Sequence, residues 1–185
     1  VPGVPHHVTQ RGNRRQPTFF GAWDYQFYKS LLADECPKAG VEVWAYCLLP
    51  NHVHLILVPE TAASLARFMA RTHRAYATCI NRREDWRGCL WQGRFASFPM
   101  AESHLLAAAR YVLLNPLRAG LVREIADWPH SSLPVHLRGV TDGLASPAPL
   151  ASRVADWHAL LALGTPPQDC VRIRRHSSNG MPLGN

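Results

Sequence analysis

The chain has 185 residues, 47% of them apolar, and carries a formal charge of +7. That balance suits one soluble globular domain with room for a tail, and no long uncharged run offers a membrane span. The five cysteines at 36, 47, 79, 89 and 170 form no C-x-x-C pair, which argues against a disulfide scaffold or zinc ribbon and for a reducing cytoplasm.

Val1 opens the sequence with no charged-then-apolar leader, so a signal peptide is expected to be absent or already removed. Pro5 to Arg11 alternates like a strand and ends at the turn signal Gly12-Asn13, placing Arg14-Arg15-Gln16 on a loop. Helical spacing through Phe27, Leu31 and Leu32 predicts a helix over Asp24 to Ala39, stopped by Gly40. Val41 to Leu49 is β-branched and aromatic, a second strand. Pro50-Asn51 makes a turn, and His52 to Val58 returns antiparallel. Ala63 to Asn81 resumes the helical period, and Arg82 to Gly88 reads as a charged loop. Trp91 to Met100 holds a fourth strand, and Ala101 to Leu114 is a helix that Pro116 stops. Beyond Trp128 the chain is rich in Pro, Gly and Ser. It offers one helical stretch from Ala151 to Leu163 and a basic extended tail from Arg172 to Asn185.

The order β-α-β-β-α-β plus an extra helix predicts an α+β fold of the ferredoxin-like, split-βαβ kind. No internal repeat is present. The expected division is a catalytic unit at 1–132 and a C-terminal extension with its tail at 133–185.

Residues two apart on a strand share a face, so His52 and His54 present two imidazoles together while Val53 and Leu55 point into a core. Imidazole is a common metal ligand, and a third donor would complete an open site able to polarise a substrate oxygen. A pair of surface histidines on a half-exposed strand explains the same pattern. Tyr111 and Asn115, four apart, share a helical face. A tyrosine hydroxyl can attack phosphorus, and an amide oxygen can ligate a divalent cation. Equally, a helical Tyr is usually a core or boundary residue, and an Asn before Pro is usually a helix stop.

The segments HHVTQRGNRRQ, LLPNHVHLILVP, LWQGRFAS and ARYVLLNPLRAGLV occur in this order in one chain. Together they resemble the single-tyrosine, His-hydrophobe-His transposases of insertion-sequence type, and among them the REP-associated tyrosine transposases. The resemblance runs from about Val4 to Ser132, and HSSNGMPLGN resembles that branch's closing Gly-x-Pro-Leu-Gly. It implies that His52 and His54 bind a divalent metal, Mg²⁺ or Mn²⁺, that Tyr111 is the nucleophile, and that Asn115 helps hold the metal where relatives often have Gln. Two imidazoles lean toward Mn²⁺, and Zn²⁺ competes on ligand type. The activity implied is nicking and rejoining of single-stranded DNA near REP-like hairpins, through a 5′-phosphotyrosine and a free 3′-OH.

For such a substrate Arg11, Arg14, Arg15, Arg71, Arg74, Arg82, Arg83 and Arg94 are candidate phosphate contacts, and Trp91 and Phe95 candidate stacking faces. Lys29 and Lys38 are the only lysines; arginine's planar fork suits phosphate, although a GC-rich coding bias gives the same composition. Each arginine alone also reads as a solvated charge, and both aromatics as core residues. His6 and His7 lie on the first strand with no metal role implied. The segment Arg172-Ile173-Arg174-Arg175-His176 reads as a DNA clamp, a disordered basic end, or a strap folding over the site. Two rivals stand beside the transposase: a hairpin-binding protein without chemistry, and a metal-dependent phosphodiester hydrolase. The short connection at Met100 and the long extension favour a monomer, with a dimer as the alternative. The expected place of work is the bacterial cytoplasm, at the nucleoid, with no membrane partner.

Overall fold

Two hydrophobic layers on opposite faces of one sheet organise the chain. The computed structural model describes residues 1–179. Strands β1 (His6–Arg11), β2 (Val41–Leu49), β3 (His52–Pro59) and β4 (Ala96–Pro99) pair antiparallel in the order β2-β3-β1-β4. This is the expected ferredoxin-like arrangement, with β3 and β1 at the centre. Pro50 and Asn51 join β2 to β3, setting Leu49 opposite His52 and Cys47 opposite His54.

Alternation along the strands sorts their side chains. Val8, Val43, Leu48, Val53, Leu55 and Leu57 meet helices α1 (Ala22–Ala39) and α2 (Ser64–Arg83) through Tyr28, Leu32, Phe68, Met69, Tyr76 and Ile80. Trp44, Cys47, Leu49 and Ile56 meet helix α3 (Glu102–Leu113) through Leu105, Ala109, Val112 and Leu113. Each large apolar side chain so buried contributes roughly 1.5–3 kcal/mol. The register that buries Val53 and Leu55 on the α1/α2 side forces His52 and His54 toward α3.

Four boundaries depart from the sequence reading. Helix α1 begins at Ala22 because the Asp24 carboxylate accepts the Phe20 and Gly21 backbone N–H groups and so caps the first turn. Helix α2 includes Arg82 and Arg83, expected on a loop; Arg83 is held there by its ion pair with buried Asp24. Pro116 does not end the helical path. After a kink at Leu114, helix α4 (Asn115–Arg118) takes Pro116 into its first turn, where the missing N–H has no helical partner to lose. The tail is helical: α8 (Pro167–Asn179) buries Ile173 beneath α3 and pairs Asp169 with Arg110 at 3.3 Å. The Gly-Met-Pro-Leu-Gly segment at 180–184 lies outside the described residues.

The stretch after residue 132 is built into the same cores. Helices α5 (Leu133–Arg138), α6 (Ala148–Ala151) and α7 (Trp157–Ala162) replace the single helix expected at 151–163, and Asp156 caps α7 by accepting from the Ala159 N–H. Leu133, Leu150 and Trp157 complete the layer under α3. Backbone bonds tie Leu48 and Tyr46 to His130 and Ser132, and Val43 to Ser146, along the outer side of β2. Among the described residues no helix is long and apolar enough to cross a membrane.

Candidate active site

Between β1, β3 and the α3–α4 junction lies a cleft of about 730 Å³, lined by His52, His54, Tyr111 and Asn115. The four residues singled out by spacing therefore converge. The His52 and His54 rings are 5.0 Å apart between centroids, and the Tyr111 ring stands edge-on to His54 at 5.7 Å. Tyr111, His54 and Asn115 are all buried, so the cleft reaches into the protein rather than lying on it.

Burial disfavours the imidazolium form at every histidine here. It lowers His52 to about 4, assisted by Arg11, and lowers His7 to about 4, assisted by Arg118. His54 lies well below its ordinary value through burial, then through His52, His7, Arg118 and Arg11. All three are neutral at pH 7, the form in which imidazole offers a lone pair to a metal.

Hydrogen bonds fix both candidate ligands. His54 Nδ1 meets His7 Nε2 at 3.0 Å, with the two rings parallel to within 6°. His52 Nδ1 meets Asn51 Oδ1 at 2.6 Å. Both Nδ1 atoms are thus engaged, so each Nε2 is the nitrogen that could ligate a metal. Among the described residues no group of three or more His, Cys, Asp or Glu side chains could hold a metal ion. The donor set available is two imidazoles and the Asn115 carboxamide, whose buried Nδ2 has no hydrogen-bond partner. An amide left open on that side can turn its oxygen toward a cation. Such a set suits a divalent ion of the Mn²⁺ type, with further positions left for water and phosphate oxygen.

The expected basic residues separate into two groups. Arg11, Arg15 and Arg94 line the cleft, and Arg14 is exposed beside Arg15. Arg71, Arg74, Arg82 and Arg83 stand on α2, across the sheet from the cleft; Arg71 pairs with Glu35 and Arg83 with Asp24 and Glu84. Trp91 is corrected outright as an open stacking face. It is 7% exposed, stacked on His73 at 4.6 Å and packed against Tyr28 and Tyr76 in the α1/α2 core, where it bridges to Gly12 beyond the end of β1. Phe95 packs against the same core.

Two site residues escaped the sequence reading. Arg118 lines the cleft with its guanidinium carbon 3.8 Å from the Tyr111 ring centroid, a close cation–π contact. It follows Asn115 by three residues, a signal hidden by treating Pro116 as a stop. His7 was seen on its strand, but its partner His54 is brought beside it only by the β1–β3 pairing of Thr9 with His54.

The sequence model of the family described as IS200-like transposases matches residues 1–114. A provisionally named REP-associated tyrosine transposase of Haemophilus influenzae is 28% identical over 116 residues, covering 57% of this chain and 66% of that protein. The chain thus spans just under two thirds of that relative. The REP-associated tyrosine transposase of Escherichia coli K12 is 25% identical over 136 residues, 73% of this chain and 78% of that one. A solved REP-associated tyrosine transposase bound to a REP hairpin has a similar fold, with a TM-score of 0.64 at 22% identity over 80% of this chain and 85% of its own. With the matched region spanning the sheet, both of its flanking layers and Tyr111, the chain belongs to the IS200-like transposase family.

Proposed function

We propose that the protein is a metal-dependent transposase that nicks and rejoins single-stranded DNA near hairpins through a 5′-phosphotyrosine. The observation that carries this reading is the convergence of Tyr111 with His52, His54 and Asn115 in one arginine-lined cleft. His52, His54 and Asn115 would hold Mg²⁺ or Mn²⁺, which when bound would supply Lewis acidity to the reacting phosphate. Arg118 fixes the Tyr111 ring and sets a positive charge beside the incoming phosphate. Arg11, Arg15 and Arg94 hold the flanking backbone. The Tyr111 oxygen attacks phosphorus and gives up its proton to solvent; a Tyr–O–P bond forms, the P–O3′ bond breaks, and the leaving 3′ oxygen takes a proton from solvent to become the free 3′-OH. Since one phosphoester replaces another, a second 3′-OH can reverse the exchange and join strands without ATP.

Tyr111 and His54 come from the same chain with ring centroids 5.7 Å apart, which supports a monomer as the working unit. The REP hairpin bound by the solved relative and the names of the sequence relatives support a REP-like hairpin as partner, hence work at the bacterial nucleoid. The test is incubation with Mn²⁺ and a labelled single-stranded hairpin oligonucleotide, followed by denaturing electrophoresis. A covalent adduct that Tyr111→Phe abolishes supports the proposal. Cleavage persisting in Tyr111→Phe would replace it with hydrolysis, and binding without cleavage across several hairpins would leave a DNA-binding protein.

A further inference from the structure

The turn that carries Arg14 and Arg15 is strained. Both residues have left-handed backbones, φ 53° and 61°, in positions where glycine or asparagine would be comfortable. Non-glycine residues persist there only where surrounding bonds over-determine them. The bonds are present: Arg15 N–H donates to the Gly12 carbonyl at 3.0 Å, and Gln16 N–H to the Asn13 carbonyl at 3.0 Å. Gly12 N–H donates in turn to the Asn51 carbonyl at 2.8 Å. Gly12 is required by space rather than by φ. A Cβ there would stand 2.7 Å from Thr18 Cγ2 and closer still to the Gln16 carbonyl.

One side chain closes this turn from outside. Asn51 Nδ2 donates to the Arg15 carbonyl at 3.0 Å, while Asn51 Oδ1 faces His52 Nδ1 at 2.6 Å. A carbonyl can only accept, so the amide's orientation is fixed by Arg15. Its oxygen must then face His52, and His52 Nδ1 must carry the proton. The Nε2 lone pair is left toward the cleft.

We propose that Asn51 is a positioning residue that couples the metal ligand His52 to the strained arginine turn that grips the DNA backbone. This rests on the metal-dependent transposase reading for the role of the ligand, though not for the tautomer. One amide holds His52 ready to ligate through Nε2 and holds Arg15 at the cleft mouth, so order at either group is transmitted to the other.

Two variants separate the halves. Asn51→Leu removes both bonds, whereas Asn51→Asp keeps an oxygen for His52 Nδ1–H but offers no donor to the Arg15 carbonyl. Three readouts apply: the His52 tautomer by ¹⁵N NMR, Mn²⁺ affinity by electron paramagnetic resonance, and affinity for a single-stranded hairpin oligonucleotide in EDTA. In the parent protein His52 is expected as the Nδ1–H tautomer. Asn51→Leu should lose that preference, weaken Mn²⁺ binding about 10–100-fold, and weaken metal-free DNA binding several-fold. Asn51→Asp should keep the tautomer and Mn²⁺ affinity within about threefold while losing DNA affinity as Asn51→Leu does. An Nε2–H tautomer in the parent protein overturns the proposal, as does parental Mn²⁺ affinity in Asn51→Leu. Joint loss of Mn²⁺ and DNA binding in Asn51→Asp also overturns it, since the amide would then only support the turn. A parent protein that shows the expected tautomer but binds no Mn²⁺ refutes the metal-dependent reading and, with it, the coupling.

Discussion

The Arg118 guanidinium carbon lies over the Tyr111 ring, 3.8 Å from its centroid, and the two residues belong to different helices joined at Leu114. The kink before Pro116 is what swings one against the other.

Arg118→Ala is therefore expected to slow adduct formation at least tenfold under single turnover, while Arg118→Lys recovers part of the rate. A cation over an aromatic face is worth roughly 0.5–2 kcal/mol, and the charge itself adds to transition-state binding. Equal single-turnover rates in Arg118→Ala and the parent protein would remove Arg118 from the reaction.

On the metal-dependent reading, His7 would act on the metal at second hand. Its Nε2 faces His54 Nδ1, so His7→Leu frees the His54 ring to rotate and change tautomer. Mn²⁺ affinity should fall about 10–100-fold, with partial recovery in His7→Gln, whose amide oxygen can reach the same place. Mn²⁺ titration followed by paramagnetic resonance checks this.

Stability should decline on mild acidification. His7, His52 and His136 are lowered to about 4 and His73 to about 3 by burial, against an ordinary value of 6.5. Well above pH 6.5 neither state binds these protons, and stability is at its plateau. Below it the unfolded chain takes them up and the folded one does not, so stability falls as pH drops from about 6.5 toward 4. The limiting slope is about 1.4 kcal/mol per pH unit for each group. Urea midpoints at pH 7.5, 6 and 5 should decrease in that order, and a midpoint unchanged at pH 5 would mean the folded protein accepts the protons too.

The arginines on the two sides of the sheet should differ in their dependence on salt. Arg15→Ala or Arg94→Ala should each reduce the salt slope of single-strand binding by about one phosphate. Arg71→Ala and Arg74→Ala, across the sheet, should leave it unchanged. Binding isotherms at several salt concentrations decide it, and a slope lost on α2 instead would move the DNA path to that face.

The strands were readable because Val41–Leu49 and His52–Pro59 are β-branched, largely apolar runs parted by the turn Pro50-Asn51, and the two-residue period of a strand paired His52 with His54. The Tyr111–Asn115 spacing survived the kink between α3 and α4 because both residues still face the cleft. What stayed hidden depended on distant partners. No local pattern shows that His7 meets His54, that Trp91 turns toward His73, or that Asp24 draws Arg83 into the last turn of α2. Helix α8 was missed because its apolar contacts are few, chiefly Ile173 and Cys170, and are completed only by docking under α3.

The stretch from His130 to Ser146 occupies the hydrogen-bonding side of β2 through Leu48, Tyr46 and Val43. Without it, β2 would be a bare template for another chain, carrying the apolar Trp44 and Leu48 with it. A fragment ending at Ser132 would lose the cover at Val43 together with Leu133, Leu150 and Trp157. Such a fragment is expected to elute as high-order aggregate on size exclusion, whereas the full chain elutes as a discrete species. The segment from His130 to Ser146, which lines no part of the cleft, thus covers an edge that would otherwise be open to self-association.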